Sequence, residues 1–368
     1  MRPGLIGALH ALRPIWATLA SLALGAALIA LSGVNPLAAY QALFAGAFLD
    51  YYGLGATLVK LSPLLLAGLA VAVPIRAGLL NIGGEGQIYM GGLASAAAAL
   101  FVQGLPAPLH LLLCVAAGSA AGGLWAMIPA YLKAFRGINE VITAILLNFV
   151  AINLISFLAA GPMMQEGAPY PYSREIAEDL WLPLILPGTD AHAGVIVGVV
   201  LALAAYVVLT RTTVGFALQT IGAGGGVPAY AGIPVRRCMM LAMFAGGACA
   251  GMAGAFEVLG LKYRLYHLFS PGYGFDGILV AFLANLNPIW VPVSAFFLGG
   301  LKAGALVMQR ATGLDGTVVD AIQGLIILFV AAGLAFRAGK EGRSRRSRRR
   351  GGAAAPAPAP MRDQEAPR

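Results

Sequence analysis

Long apolar runs, broken at intervals by short clusters of glycine and polar residues, set the rhythm of this chain. A membrane-crossing helix needs about 20 predominantly apolar residues. Ten candidate segments can be drawn, at residues 15–34, 54–75, 82–102, 109–131, 141–160, 193–209, 239–259, 275–285, 289–309 and 317–336. The eighth is too short to cross alone. Bounded by Pro271-Gly272 and Asn287-Pro288, it reads as a half-helix or a strongly tilted span, because proline ends or kinks a helix. The pattern predicts an all-α, polytopic integral membrane protein with about 8–10 transmembrane helices, some of them broken or half-length. Three regions follow: a short N-terminal segment at 1–14, a transmembrane domain at 15–336 and a tail at 337–368.

The densest interruption is residues 73–94, VPIRAGLLNIGGEGQIYMGGLA, where Arg76, Asn81, Glu85 and Gln87 sit among glycines. Ionisable groups within a span cost on the order of 2.5–3.5 kcal/mol, so such a cluster faces protein or a water-filled path rather than lipid. Glycines let the backbone leave helical geometry, which at membrane depth is tolerated only where the chain is buried or lines a cavity. The stretch therefore reads as a broken segment beside a translocation path, with Arg76 the expected partner of Glu85. A second polar block, residues 211–237, is too polar to span and too long for a tight turn. It predicts one or two short helices, at 214–220 and around 229–231, broken at residues 222–226.

Composition narrows the class. Hydrophobic residues make up 59% of the 368 and charged residues 11%, against roughly 45–50% and 25% in soluble domains. The formal charge of +9 looks at first like a nucleic-acid signal. Most of it, however, lies in residues 337–350, where eight Lys and Arg face only Glu341. A terminal basic run beside an apolar segment reads as a cytoplasmic anchor, not a nucleic-acid patch. Arg2, Arg13, Arg76, Lys133, Arg136, Arg211, Arg236 and Arg237 fall on the same side, so both termini are expected in the cytoplasm. The longest opposite loop, 161–192, carries Glu166, Glu175, Glu178, Asp179 and Asp190 against Arg174. From Gly351 the Ala-Pro repeats predict a disordered, partly extended tail. The first apolar run has no convincing processing site and is expected to stay as an anchor.

Cys114, Cys238 and Cys249 lack any CxxC spacing, and the four histidines are far apart. Neither a disulfide framework, a zinc site nor a nucleophile and base pairing is indicated. No G-x-x-x-x-G-K-[ST] motif occurs, so no nucleotide-hydrolysing site is visible. Gly118 with Gly122, Gly247 with Gly251 and Gly300 with Gly304 sit at four-residue spacing, which lets helix backbones approach closely.

Six stretches carry a resemblance: GVNPLAAYQALFAGAF from Gly33, LSPLLLAGLAVAVPIRAGLLNIGGEGQ from Leu61, RGINEVITAILLNFVA from Arg136, AGIPVRR from Ala231, GMAGAFEVLG from Gly251 and SPGYGFDGILVAFLANLNP from Ser270. Together they resemble the permease subunits of bacterial ATP-binding-cassette (ABC) importers, in the nucleoside and simple-sugar branch. More distantly, they are similar to ribose and branched-chain amino-acid permeases. The resemblance implies a multi-pass protein of the inner membrane that binds no cofactor itself. ATP with magnesium would be used by separate ATPase subunits. A second permease, often a related but different chain, and an extracytoplasmic substrate-binding lipoprotein complete the implied assembly.

On that reading Asn81, Glu85, Gln87 and Asn148 are the expected lining of the substrate path, with Asn153 as a further amide, since a neutral polyhydroxylated solute needs amide and hydroxyl partners. Val141, Ile145 and Asn148 are expected on one helical face. Arg211, Gly215, Phe216, Gln219, Gly232, Ile233, Arg236 and Arg237 are the expected contacts to the ATPase, with residues 133–140 as the alternative surface. Nucleoside, free base and pentose remain open as the solute. The competing class is an ion-coupled secondary transporter using Glu85, Glu257, Asp276, Lys302 and Asp320 as coupling groups.

Overall fold

The computed structural model describes residues 13–224, 227–315, 317, 318, 320, 321, 324 and 325. The basic run at 337–350, the Ala-Pro tail, most of the N-terminal segment, most of the tenth expected span, and Gly225 and Gly226 lie outside them. Twelve α-helices occur among the described residues. They are α1 (Arg13–Leu31), α2 (Pro36–Phe44), α3 (Tyr51–Ala72), α4 (Gly84–Phe101), α5 (Ala107–Arg136), α6 (Glu140–Ala160), α7 (Gly194–Arg211), α8 (Thr213–Gly222), α9 (Val227–Tyr230), α10 (Val235–Glu257), α11 (Tyr273–Leu283) and α12 (Val291–Thr312). Each of the first nine expected spans holds a helix. Six of these helices are long and apolar enough to cross a membrane.

One element departs from the expected pattern. The stretch after Gly33 forms α2, which continues into a π turn at Ala45–Leu49. Its signal was local rather than one of length: the Asn35 side chain accepts from the Leu37 N–H at 2.9 Å and Pro36 fits the first helical position. Together the two pieces are too short to register as a span. They pack on α12, where Gly304 lies under the Leu43 carbonyl and Gly300 under the Phe48 ring.

The centre of the molecule is α3. Asp50 caps it, accepting from the Gly53 N–H at 2.8 Å, and 83% of its most apolar window is buried, against 22% for α6. Around it pack α10, α11 and α12. Two of the glycine pairs read from the sequence, Gly118 with Gly122 and Gly247 with Gly251, meet one another across a seam of three helices. A Cβ on Gly91 or Gly122 would strike Gly251, one on Gly247 would strike Gly122, and one on Gly254 would overlap the Ile88 carbonyl oxygen. Backbone-to-backbone packing of α4, α5 and α10 is what these glycines permit.

The two ends of the bundle differ in charge. At one, Arg236 lies over the Phe135 ring at 5.1 Å, Lys133 pairs with Glu140 at 2.9 Å, and Gly222 touches the Arg76 carbonyl. This is the basic end. At the other, the acidic loop 161–192 folds over the helix ends: Tyr51 donates to the Pro187 carbonyl at 2.9 Å, Trp181 stacks on Tyr263, and Arg264 pairs with Glu175. Between Leu265 at this end and Tyr273 the chain enters the bundle without regular structure, then turns into α11. At 1.5 Å per residue α11 is about 16 Å long, roughly half the hydrocarbon thickness.

Candidate functional site

The start of α4 and the start of α11 meet at depth. Asn148, on α6, lies about 12 Å along its helix from the basic end. Its Oδ1 accepts from the Gly86 N–H at 2.8 Å and its Nδ2 donates to the Ile82 carbonyl at 3.0 Å. Both broken helices therefore begin inside the bundle, where their first N–H groups have no helical acceptor and must be satisfied by side chains. Glu85 does this for α11, its Oε2 accepting from the Gly274 N–H at 2.7 Å. The approach requires glycine on both sides, because a Cβ at Gly274 would fall on the Glu85 backbone nitrogen. One buried carboxylate thus stands between two positive helix ends, the arrangement in which its charge is best tolerated.

Asn81 and Gln87 complete this joint as a reciprocal amide pair. Asn81 Nδ2 donates to Gln87 Oε1 at 2.9 Å, and Gln87 Nε2 donates to Asn81 Oδ1 at 2.8 Å. Asn81 also donates to the Ala70 carbonyl at 3.0 Å and accepts from the Gly83 N–H at 3.1 Å. All four expected path residues, Asn81, Glu85, Gln87 and Asn148, are brought together and buried. The bonds they make run to one another and to backbone groups of the chain itself.

Two expectations are corrected here, and a third is placed. Arg76 does not pair with Glu85; it donates to the Leu286 carbonyl at 2.8 Å. The reason is Gly78, whose left-handed backbone (φ +75°) ends the turn Pro74–Ala77 and leaves Arg76 at the basic end while Glu85 lies deeper. Asn148 lies on one side of α6 with Val141 and Ile145, as expected, within the buried stripe of Ala144, Ala151, Ile155 and Ala159, with Ile145 exposed at its edge. Asn153 is exposed and bonds back to Phe149 in its own helix.

A second polar group lies across α3, α11 and α12. Lys302 Nζ sits 2.8 Å from Asp276 Oδ2, with 20% and 17% of the two side chains exposed. Glu257, at the end of α10, is buried 3.9 Å from Lys262. Lys60, in α3, lies within electrostatic reach of Glu257, Asp276, Lys262 and Lys302. Among the described residues it makes no hydrogen bond and no ion pair. The sequence reading passed over Lys60, although a single lysine inside an otherwise apolar span was the signal that could have found it.

The block at 211–237 divides into two faces. Thr212 caps α8, accepting from the Gly215 N–H at 3.3 Å, and Gln219 Nε2 donates to the Leu209 carbonyl at 2.6 Å, closing the end of α7. Gly215 lies under the Val208 and Leu209 carbonyls and Gly222 under that of Arg76. So Gly215, which is buried, and Gln219 bind α8 to the end of α7, and Gly222 seats α8 on the turn that precedes the joint. Phe216, 69% exposed, faces outward with Arg211, Gly232 and Arg237, while Ile233 is half-buried and Arg236 covers Phe135. The two short helices expected here are present as α8 and α9.

Residues 53–331 match the family described as branched-chain amino acid transport system, permease component. The chain is 36% identical over 334 residues to the glucose ABC transporter permease protein TsgB13 of Haloferax volcanii, covering 88% of each chain. It is 38% identical over 332 residues to the guanosine ABC transporter permease protein NupP of Bacillus subtilis, covering 89% of this chain and 95% of that one. The guanosine ABC transporter permease protein NupQ of the same organism is 24% identical over 68% of this chain.

Proposed function

Because the chain belongs to this family of permease components, we propose that it is one of two permeases in an ABC importer and passes a nucleoside or simple sugar through the membrane on ATP hydrolysed by a partner subunit. The observation that carries this reading is the identity of 36% and 38% over nearly the whole chain to permeases named for glucose and guanosine. A pair of relatives of different similarity in one organism, both named for guanosine, supports a second, related permease as partner. A substrate-binding protein delivers the solute at the acidic end, and the basic end faces the cytoplasm in keeping with the positive-inside bias. The outward face of α8, around Phe216, seats the ATPase, and Gly215, Gln219 and Gly222 pass its movement to the turn at Arg76. Contacts that differ between states are what let ATP shift a conformational equilibrium.

The test is uptake into proteoliposomes containing this chain, its partner permease, the ATPase and the binding protein. Uptake is expected to need ATP and to vanish when the phosphate-binding lysine of the ATPase is replaced. Accumulation by this chain alone on a proton or sodium gradient would overturn the reading. Phe216→Glu tests the coupling face: normal insertion with lost stimulation of the ATPase by loaded binding protein is expected, and undiminished stimulation would move the coupling to residues 133–140. Phe216 is the better probe than Gly232, whose left-handed backbone (φ +69°) strains any side chain.

A further inference from the structure

Charged side chains within spanning helices avoid lipid and face either protein or water. Three of them, Lys60, Asp276 and Lys302, come from three different helices, α3, α11 and α12, that pack on one another. Asp276 and Lys302 reach each other at 2.8 Å, yet both stay partly exposed, so the pair is open on one side. Lys60 is partly exposed between neighbours that are nearly covered, Val59 at 8% and Leu61 at 5%. Its ammonium has three donors and no acceptor among the described residues. The Glu85 joint is different: its four side chains are buried and bonded within the chain, so they offer a passing solute little.

We propose that the solute passes along the face formed by α3, α11 and α12, where Asp276 accepts from, and Lys60 donates to, the hydroxyl groups of a sugar ring. This rests on the permease reading and goes further by naming where the solute touches the chain and which part of it is recognised. A carboxylate and an ammonium within electrostatic reach of each other complement neighbouring hydroxyls, each of which both donates and accepts. A base edge can pair with the same two groups, but a simple sugar has no base. The recognised element is then what a nucleoside and a simple sugar share, the hydroxylated ring. Lys302 holds the Asp276 carboxylate in place through their 2.8 Å contact. Within this site Lys60 is the residue free to change partners as the solute moves on.

The experiment uses the full importer in proteoliposomes, with Lys60→Cys introduced into a chain whose Cys114, Cys238 and Cys249 are replaced by alanine. A small, charged methanethiosulfonate is expected to modify the new cysteine, and excess nucleoside or free sugar delivered with the binding protein to slow that modification at least several-fold. A free base lacking the sugar is expected to give no protection. Alongside it, Lys60→Met and Asp276→Asn are expected to lower maximal uptake roughly ten- to a hundredfold, as for loss of a hydrogen bond to a charged group, with Lys60→Arg recovering much of it. A cysteine that stays unmodified, or is modified at a rate no solute changes, would overturn the proposal, as would wild-type uptake rates in both Lys60→Met and Asp276→Asn. If the unaltered importer shows no ATP-driven uptake, it is the permease reading that fails, and the labelling result then stands by itself as a measure of whether this face meets water.

Discussion

Two polar groups lie inside this bundle, and they differ in how completely their bonding capacity is used. At the joint of α4 and α11, Asn81, Gln87, Glu85 and Asn148 are buried and spend their polar atoms on each other and on orphaned backbone groups. Along α3, α11 and α12, the Asp276–Lys302 pair remains partly exposed and Lys60 makes no bond among the described residues. Burial with full satisfaction rigidifies, because in a low-dielectric interior each lost partner leaves a costly unpaired group. Partial exposure with spare donors leaves groups available to a ligand. The comparison separates a polar cluster that makes the architecture possible from one that can serve transport. Sequence composition alone treats the two alike.

The largest effect is expected where neither group is touched. Gly254→Val would drive a branched side chain into the Ile88 carbonyl and the Gly92 backbone nitrogen, neither of which can give way. Overpacking costs about 1–3 kcal/mol where side chains can shift; against backbone atoms it instead parts α4 from α10. The expected outcome is little folded protein in membranes, read by size-exclusion chromatography after detergent extraction. A stable, active variant would mean that α4 and α10 are not held together through this seam. Asn81→Leu comes next, since it leaves the Ala70 carbonyl, the Gly83 N–H and the Gln87 amide without their partner. Each unsatisfied buried group costs on the order of 1–3 kcal/mol. Thermal stability and uptake should fall together, whereas Lys60→Met should lower uptake with the melting temperature within a few degrees of wild type. If Asn81→Leu instead keeps full stability and loses uptake, the joint belongs to the path and the comparison collapses.

Much of this was legible in the residues. Spans appear where about 20 apolar residues run together, the half-helix α11 where Pro271-Gly272 and Asn287-Pro288 bracket too few, and the short helices of the 211–237 block where polarity rules out a crossing. The clustering of Asn81, Glu85, Gln87 and Asn148 was legible too, because polar residues in an apolar chain must find one another. What the sequence left undetermined was direction. Arg76 and Glu85 are nine positions apart and opposite in charge, but the backbone turn at Gly78 sends them to different depths, and no pattern in one dimension encodes that. Asn148 could equally have faced a solute or a backbone; its two bonds to Gly86 and Ile82 depend on where α4 begins. Lys60 was overlooked for the opposite reason, since a single charge in a long apolar run is easily averaged away. Helix α2 escaped because a length threshold ignores a short piece that packs on a neighbour.

The smallest effect concerns neither group but the cover over the acidic end. His192 lies just before α7, buried, with its ring against Gly194, Gly260 and Phe256 and its Nδ1 accepting from the Gly194 N–H at 3.2 Å. Burial pushes its pKa down from 6.5 to about 4. In the unfolded chain the ordinary value returns, so between about pH 6.5 and pH 4 the unfolded state holds a proton that the fold refuses. Stability contributed at this position is therefore intact above pH 6.5, falls as pH drops through that window, and falls no further below about 4. The slope can reach at most about 1.4 kcal/mol per pH unit, and at neutral pH it is close to zero, so the effect is felt only on acidification. His192→Phe fills the same space without the titrating nitrogen and loses one acceptor for Gly194. Melting temperatures in detergent at pH 7.5, 6 and 5 are expected to decline more steeply for the wild type than for the variant, the variant starting slightly lower. Parallel declines would mean that the ring is reached by water, and that the loop over the acidic end is looser than the packing of His192 against Gly260 implies.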